Sequence, residues 1–370
     1  PVNLQSGQGT NSAFRHVFDM TTLNLLPGDM VSYYFEIWDN DAVNGSKSSK
    51  SSMLEFRQRS TEEMTKQEEQ NNADIKAEME KSVRDAKKLQ QKLADFKNKM
   101  LQEKDVQWQN KKDLEKLMKE QEDIQKNFED AKKKFDDNLK NQNQHSQPDE
   151  NLLEKQQQLQ KMMNESMSDE MKQLMKQIQD LMQELNKDQA VQMSEKFENK
   201  TQELTKEMDR LLELFKELEL EKTRKDEIDK LRELADEQKK LAEKTEKKEE
   251  SKENLEKKQD ELNKKFDDIQ KKQEDIQKKN KELEKPKDIK DRKAESESIK
   301  KDMEQSKDKL NKSENSSASE KQKEAANKME EQAESMEQEM QSGEKEQHEE
   351  DIKVIRQLLE NLVALSFDQE

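Results

Sequence analysis

Apolar residues recur at every third or fourth position over most of the chain, from about residue 60 to residue 285. This spacing lines one face of a helix, and in a repeat of seven residues it forms the a/d seam of a coiled coil. The pattern predicts a mainly α protein, whose long coiled-coil helices fold into antiparallel hairpins. The predicted seam residues are Leu89, Leu93, Phe96, Leu117, Ile124, Phe128, Leu174, Ile178, Leu181, Leu204, Met208, Leu211, Phe215, Leu218, Leu262, Phe266 and Ile269.

The first long helix has a clear start signal. Ser60 and Glu63 have the spacing of a capping box, in which each side chain bonds the backbone N–H of the other residue. Neither glycine nor proline follows before Pro148, so we expect one coiled-coil helix over 60–140 and a loop over 141–150.

Coiled-coil helices are predicted to resume over 151–285. The phase of the seam slips near 187–193, 221–227 and 245–252, which predicts stutters or short turns at these points. Pro286 ends this region.

The remainder of the chain has a weaker pattern. Residues 286–343 are predicted to be a charged, low-complexity segment that is helical or flexible, with a flexible link over 312–319 and a break at Gly343. An amphipathic helix is predicted over 344–370. Because its apolar pattern stops in mid-course, we expect the chain to be a fragment of a longer protein.

Residues 1–58 have a different pattern, with partial alternation of apolar and polar residues over 30–38 and a short return run over 53–56. Gly28 and the Asn44-Gly45 pair supply turn signals on either side of the longer run. We therefore expect a β-hairpin, preceded by a strand near 14–20. Because a lone hairpin is marginally stable, we interpret it as the end of an Ig-like β-sandwich domain.

Three positions of the longest seam are polar: Gln259, Gln273 and Asn280. Polar residues in a seam reduce stability and select one register. Two interpretations stay open, namely weak and partly solvated helices, or helices whose register these residues select.

The composition argues against a globular enzyme of several domains. Charged residues make up 42% and hydrophobic residues 28% of the 370 residues, and the net charge is −17. Ordinary domains are roughly 45–50% apolar. The acidic balance disfavours nucleic-acid binding, while the scarcity of glycine and proline argues against a disordered chain.

Few residues suggest chemistry. The chain has no cysteine and three widely separated histidines, so we predict no catalytic, cofactor or metal residues. Asp39, Asp41 and Asn44 could ligate calcium, as in an adhesin-like module, but the bonding of a hairpin turn explains them better. No phosphate-binding loop is present, so a chromosome-segregation-type ATPase would need its motor outside this chain.

Two stretches resemble a known family. The run from Gly28 to Gly45, which includes Trp38, and the run from Ile355 to Asp368 are similar to a family of large Bacteroidota proteins described as domain of unknown function 4175. The resemblance implies a protein anchored in the membrane by a segment outside this chain, with this part on the extracytoplasmic, periplasmic side.

Pattern and resemblance together predict a structural, scaffolding coiled-coil protein of the cell envelope. We expect it not to be an enzyme. Its expected partners are itself, through helix pairing, and other envelope proteins, with no nucleic acid. The coiled-coil arm of an ATPase and the calcium-dependent adhesin are the alternatives.

Overall fold

A computed structural model describes residues 16–39, 43, 45–145, 149–165, 169–182, 184 and 186–368, with the backbone alone for 143–145, 169, 344 and 346–368. Over these residues the protein is mainly α, as predicted, with two small antiparallel sheets near the N-terminus. The helices are α1 Thr61–Gln102, α2 Trp108–His145, α3 Glu150–Glu165, α4 Asp169–Leu181, α5 Lys187–Lys247, α6 Lys252–Lys281, α7 Lys293–Asn311 and α8 Asn315–Asp368. The strands are β1 Met30–Tyr33, β2 Glu36–Trp38, β3 Ser48–Lys50 and β4 Leu54–Arg57.

The chain divides into two compact units. One contains Pro1–Ala77 and Asp130–Pro148, and the other contains Glu78–Glu129 and Asp149–Glu370.

The strands of the first unit form a ribbon in which β1 pairs with β4 and β2 with β3, both antiparallel. The return arm begins at Ser48, earlier than the predicted run. The strand expected near 14–20 is not found in its described part, where a 3-10 helix starts at Met20. The cause is local, because the Thr21 N–H donates to the Asp19 carboxylate (3.0 Å) and closes a turn.

The capping box at the start of α1 is confirmed. The Glu63 N–H donates to the Ser60 hydroxyl (3.2 Å), and the Ser60 N–H donates to the Glu63 carboxylate (2.9 Å).

The single helix expected over 60–140 is wrong, because the chain turns back at 103–107 and continues as α2 to His145. Within the second unit, Lys99 pairs with Asp113 (3.3 Å) and Lys92 with Glu120 (2.7 Å), so the two helices are antiparallel there. A long helix cannot bury its own seam, and folding back supplies the partner. The predicted loop is shortened at its start, since α2 takes up residues 141–145.

α5 is continuous through 221–227, where a slip was predicted, so the seam changes phase without a break in the helix. The slip near 245–252 is a turn between α5 and α6, and Lys248, the residue that caps the end of α5, has a left-handed backbone (φ 55°). Near the slip predicted at 187–193, α5 starts at a capping box formed by Asn186 and Gln189.

Residues 187–219 of α5 belong to a first bundle with α3, α4 and the parts of α1 and α2 in the same unit. Contacts to α1, α2 and α4 define it: Lys97–Glu198 (2.5 Å), Lys87–Asp209 (2.7 Å), Gln121–Thr201 (3.4 Å) and Lys200–Glu170 (2.7 Å). The pair Lys155–Glu221 (2.6 Å) joins α3 to α5 just past this stretch.

Residues 220–247 of α5 continue into a second bundle with α6, α7 and α8. Residue numbers rise along one helix as they fall along the next, which is the up-down-up-down arrangement. One ion pair or hydrogen bond from each interface illustrates the ring: Glu237–Lys265 (2.7 Å), Asp267–Lys300 (2.6 Å), Ser298–Lys328 (2.9 Å) and Lys239–Glu330 (2.5 Å).

The region over 286–343 is more ordered than predicted. α8 starts at Asn315, so the flexible link over 312–319 is reduced to a short turn, and the backbone of α8 is helical through Gly343. Tertiary packing explains the difference, because the small residues Ala318, Ala325, Ala326 and Ala333 are all fully buried in this bundle.

Candidate functional site

The predicted seam residues are buried, apart from Leu181, which is half-buried. Those of the last seam, Leu262, Phe266 and Ile269, lie in the core of the second bundle with Ile299 and Met303 of α7. Their role is to hold the helices together by removing apolar surface from water.

The predicted hairpin residues that the structure describes, Gly28, Trp38, Asp39 and Gly45, lie in the turns and strands of the ribbon. Gly28 and Gly45 have positive φ values (92° and 87°), which glycine adopts without strain. Trp38 is 61% exposed. The Asp39 carboxylate accepts a hydrogen bond from the Lys47 N–H (2.8 Å), as turn bonding requires. Asp41 and Asn44 lie outside the described residues.

The core of the second bundle contains a glutamine layer formed by Gln238, Gln259 and Gln322. Gln238 and Gln259 exchange hydrogen bonds (2.9 and 3.0 Å), and Gln322 donates to the same Gln259 oxygen (2.9 Å). The three residues are fully buried. These hydrogen bonds fix the positions of α5, α6 and α8 relative to one another along the bundle axis. They therefore favour the interpretation that Gln259 selects one register of the helices.

Asn280, another predicted polar seam position, holds the connection between α6 and α7. Its amide donates to the Lys287 carbonyl and accepts from the Lys287 N–H, both at 2.8 Å. Gln273 lies nearer the middle of α6 and belongs to a second polar layer.

This second layer, the acid layer, takes one residue from each helix: Glu227, Gln273, Ser296 and Gln332. Gln332 donates to the Ser296 hydroxyl (3.1 Å), which donates to the Gln273 carbonyl oxygen (2.6 Å). The chain of hydrogen bonds stops there, because Gln273 Nε2 and the two carboxylate oxygens of Glu227 form no well-aligned hydrogen bond among the described residues, although the Gln273 amide lies close enough to Glu227 to influence it. The acid layer is therefore incompletely satisfied.

Beside the acid layer, two buried arginines share one carboxylate. Arg224 donates to Glu339 (2.7 Å), and Arg292 donates to the other oxygen of Glu339 (3.0 Å) and to the Ser335 hydroxyl (3.1 Å). Arg224 and Arg292 are only 5% and 6% exposed. Such an arrangement is stable only while the shared carboxylate stays in place, since each buried charge needs a partner.

Glu227 is only 2% exposed. Burial raises the pKa of Glu227 to about 7, because the opposing effects of the Gln273 amide and of Arg292 and Arg224 do not cancel the loss of solvation. A cavity of about 380 Å³, lined by residues of α5, α6, α7, α8 and the α6–α7 connection, borders this carboxyl group.

Glu221, one helical turn and a half earlier on α5, contrasts with Glu227. Burial alone would raise its pKa, but Lys287 (2.8 Å) and Lys155 (2.6 Å) lower it below the ordinary value. Glu221 is thus a buried, ionised and fully paired carboxylate, whereas Glu227 changes its charge near neutral pH.

The sequence interpretation did not single out Glu221, Arg224 or Glu227. Their signal was the seam slip over 221–227, where charged residues take the positions that apolar residues hold elsewhere in α5. In a chain so rich in Glu and Lys, that signal identifies the place but not the buried side chains.

The described residues contain no group of three or more His, Cys, Asp or Glu residues that could hold a metal ion. Among the helices that the structure describes, none combines the length and the apolar character needed to cross a membrane.

Comparisons with known proteins found no family model, no curated protein and no solved structure that matches this chain. The resemblance to the domain of unknown function 4175 family therefore stays a prediction.

Proposed function

We propose that this chain is a structural component that spaces or tethers partners in the cell envelope, and not an enzyme. One observation carries the proposal: the seams close against one another within a single chain, through an apolar core and ion pairs at every helix interface of the second bundle. Buried ion pairs contribute as well, since Arg224 of α5 pairs with Glu339 of α8 and Asp302 of α7 with Lys328 of α8.

The ribbon supports a second part of the proposal, an Ig-like sandwich that additional strands complete. Ile37 and Trp38 are 71% and 61% exposed, and Met53, Leu54 and Phe56 of the other arm are exposed as well. A two-stranded ribbon that leaves such residues in water has little stability of its own. The membrane anchor, the periplasmic side and the envelope partners rest on the family resemblance.

The pairing of the seams within one chain can be tested directly. The protein should remain monomeric in size-exclusion chromatography with light scattering over a hundredfold range of concentration, with an unchanged Tm. A concentration-dependent dimer would mean that seams pair between two copies, and the tethering role would then belong to the dimer.

The cellular role needs the full-length protein. We expect it in the envelope fraction, and we expect protease added to spheroplasts to cleave it. ATP hydrolysis stimulated by DNA would instead support the ATPase arm, and heat evolved on titration with Ca²⁺ would support the adhesin-like module.

A further inference from the structure

Glu227 lies where the four helices of the second bundle meet, and nothing in the structural role described above requires a carboxyl group there. The other polar side chains of the acid layer are neutral. A glutamine at the same place would have nearly the same size and could both donate and accept hydrogen bonds.

Every element packed against Glu227 contributes to its surroundings. α5 supplies Arg224 and Lys230, and the residue just before α7 supplies Arg292. α6 supplies the neutral Gln273, and α8 supplies Glu339, whose charge the two arginines share. Ionised Glu227 would therefore compete with Glu339 for Arg224 and Arg292, whereas protonated Glu227 leaves that cluster intact.

The connection over 282–292 is held at Lys287 by Asn280 and Glu221, and its later residues lie beside Glu227. It is the longest of the three connections in the second bundle, and its residues Ile289, Lys290 and Asp291 line the cavity beside Glu227. The Nε atom of Arg292, at the end of the connection, has no hydrogen-bond acceptor among the described residues. Movement of this connection would let water reach the carboxyl group without separating the four helices.

We propose that Glu227 is a proton-controlled latch of the second bundle. With the proton bound, the four helices stay closed around the acid layer. When the proton is lost, the connection over 282–292 opens at the cavity, and the carboxylate is solvated or takes Arg292 from Glu339.

The direction of the effect follows from linkage. A carboxyl group whose pKa is higher in the folded than in the unfolded state stabilises the fold fully below the unfolded pKa, and this contribution is lost as the pH rises through the folded pKa. For Glu227 the loss extends from about pH 4.5 to about pH 7. The bundle should thus be tighter in mildly acidic than in mildly alkaline solution.

Amide hydrogen exchange of the whole chain at pH 6.0 and pH 8.5, corrected for intrinsic exchange rates, tests the latch. In the wild type, the equilibrium constant for local opening near 224–231, 270–277 and 289–299 should rise about tenfold from pH 6.0 to pH 8.5. This size follows from linkage if the pKa of Glu227 in the open state is near the ordinary value for glutamate. In Glu227→Gln this rise should disappear.

Glu221→Gln is the matched control. It also removes a buried carboxylate from α5, but that group is ionised at both pH values, so the variant should lose protection equally at both and keep the tenfold rise. An equal pH dependence in wild type and Glu227→Gln would overturn the proposal, as would loss of the rise in Glu221→Gln.

A direct titration keeps the proposal testable even if Glu227→Gln folds poorly. In the wild type with ¹³C-labelled glutamate, one buried carboxyl signal should titrate near pH 7, and the variant Glu227→Asp should remove that signal from the glutamate spectrum. If no glutamate signal titrates between pH 6 and pH 8, the latch does not exist.

Discussion

Three glutamates of the second unit illustrate how the environment of a residue decides what it does. Glu221 has two lysine partners, Glu339 is shared by two arginines, and Glu227 has only the neutral Gln273 amide nearby, with no well-aligned hydrogen bond among the described residues. In the sequence all three are ordinary members of an acid-rich helical pattern. The difference in their surroundings depends on which helices meet at each point, and the spacing of residues in a single sequence does not reveal which helices meet.

The shared carboxylate of Glu339 should be one of the most sensitive side chains in the protein. The variant Glu339→Gln leaves Arg224 and Arg292 buried together without the carboxylate that they share, and breaking a buried ion pair costs about 3–5 kcal/mol. We expect a loss of this size in the free energy of unfolding measured with urea.

An exposed pair provides the control for Glu339. Asp268 and Lys271 pair on the surface of α6 (2.8 Å), with both side chains about three-quarters exposed. Asp268→Asn should change the free energy of unfolding by less than ~0.5 kcal/mol, because exposed pairs contribute little. Similar losses in the two variants would contradict the buried triad.

At the scale of the element, apolar spacing predicted the existence and the seam of the long helices, but not all of their ends. The break at 103–107 has no glycine or proline to mark it, and it arises because α1 needs a partner for its seam. Conversely, Gly343 does not end α8, and the slip over 221–227 does not end α5. Propensity is a weak signal beside tertiary packing, so such ends escape a reading of one sequence.

The glutamine layer yields a prediction about α6. Gln259→Leu should lower the free energy of unfolding by about 1–3 kcal/mol, because it leaves the buried amides of Gln238 and Gln322 without their partner. Urea denaturation of the whole chain measures the loss.

The triple variant Gln238→Leu, Gln259→Leu and Gln322→Leu separates stability from register. It should be as stable as the wild type or more stable, since apolar side chains pack well at such positions. It should also lose the unique register, which broadened amide signals and oligomers in light scattering would reveal. A triple variant that has a lower free energy of unfolding than Gln259→Leu and is still monomeric would contradict register selection.

At the scale of the whole molecule, α5 is the element that both bundles of the second unit share. Its first part packs against α1, α2, α3 and α4, and its second part against α6, α7 and α8. The seam in α5 changes phase between the two parts, where Glu221, Arg224 and Glu227 are buried. An apolar seam that keeps one phase lies on one face of its helix. Because the seam of α5 changes phase, α5 can pack against one set of helices along its first part and against a differently placed set along its second part.

The seam of the first bundle can be tested by placing charge in it. Leu211 and Phe215 are 0% and 2% exposed. Each loses about 1.5–3 kcal/mol of burial when it becomes Asp, and each new carboxylate would lie in an apolar seam. The sum approaches the 5–15 kcal/mol that stabilises a typical domain, so Leu211→Asp with Phe215→Asp should unfold the first bundle and lower the helical signal in circular dichroism.

Lys206→Asp with Arg210→Asp changes two exposed positions of the same stretch of α5 and should leave the helical signal within a few per cent of wild type. Helicity that stays unchanged in the seam variant would mean that α5 does not depend on its partners, and the paired-helix description of this protein would then be wrong.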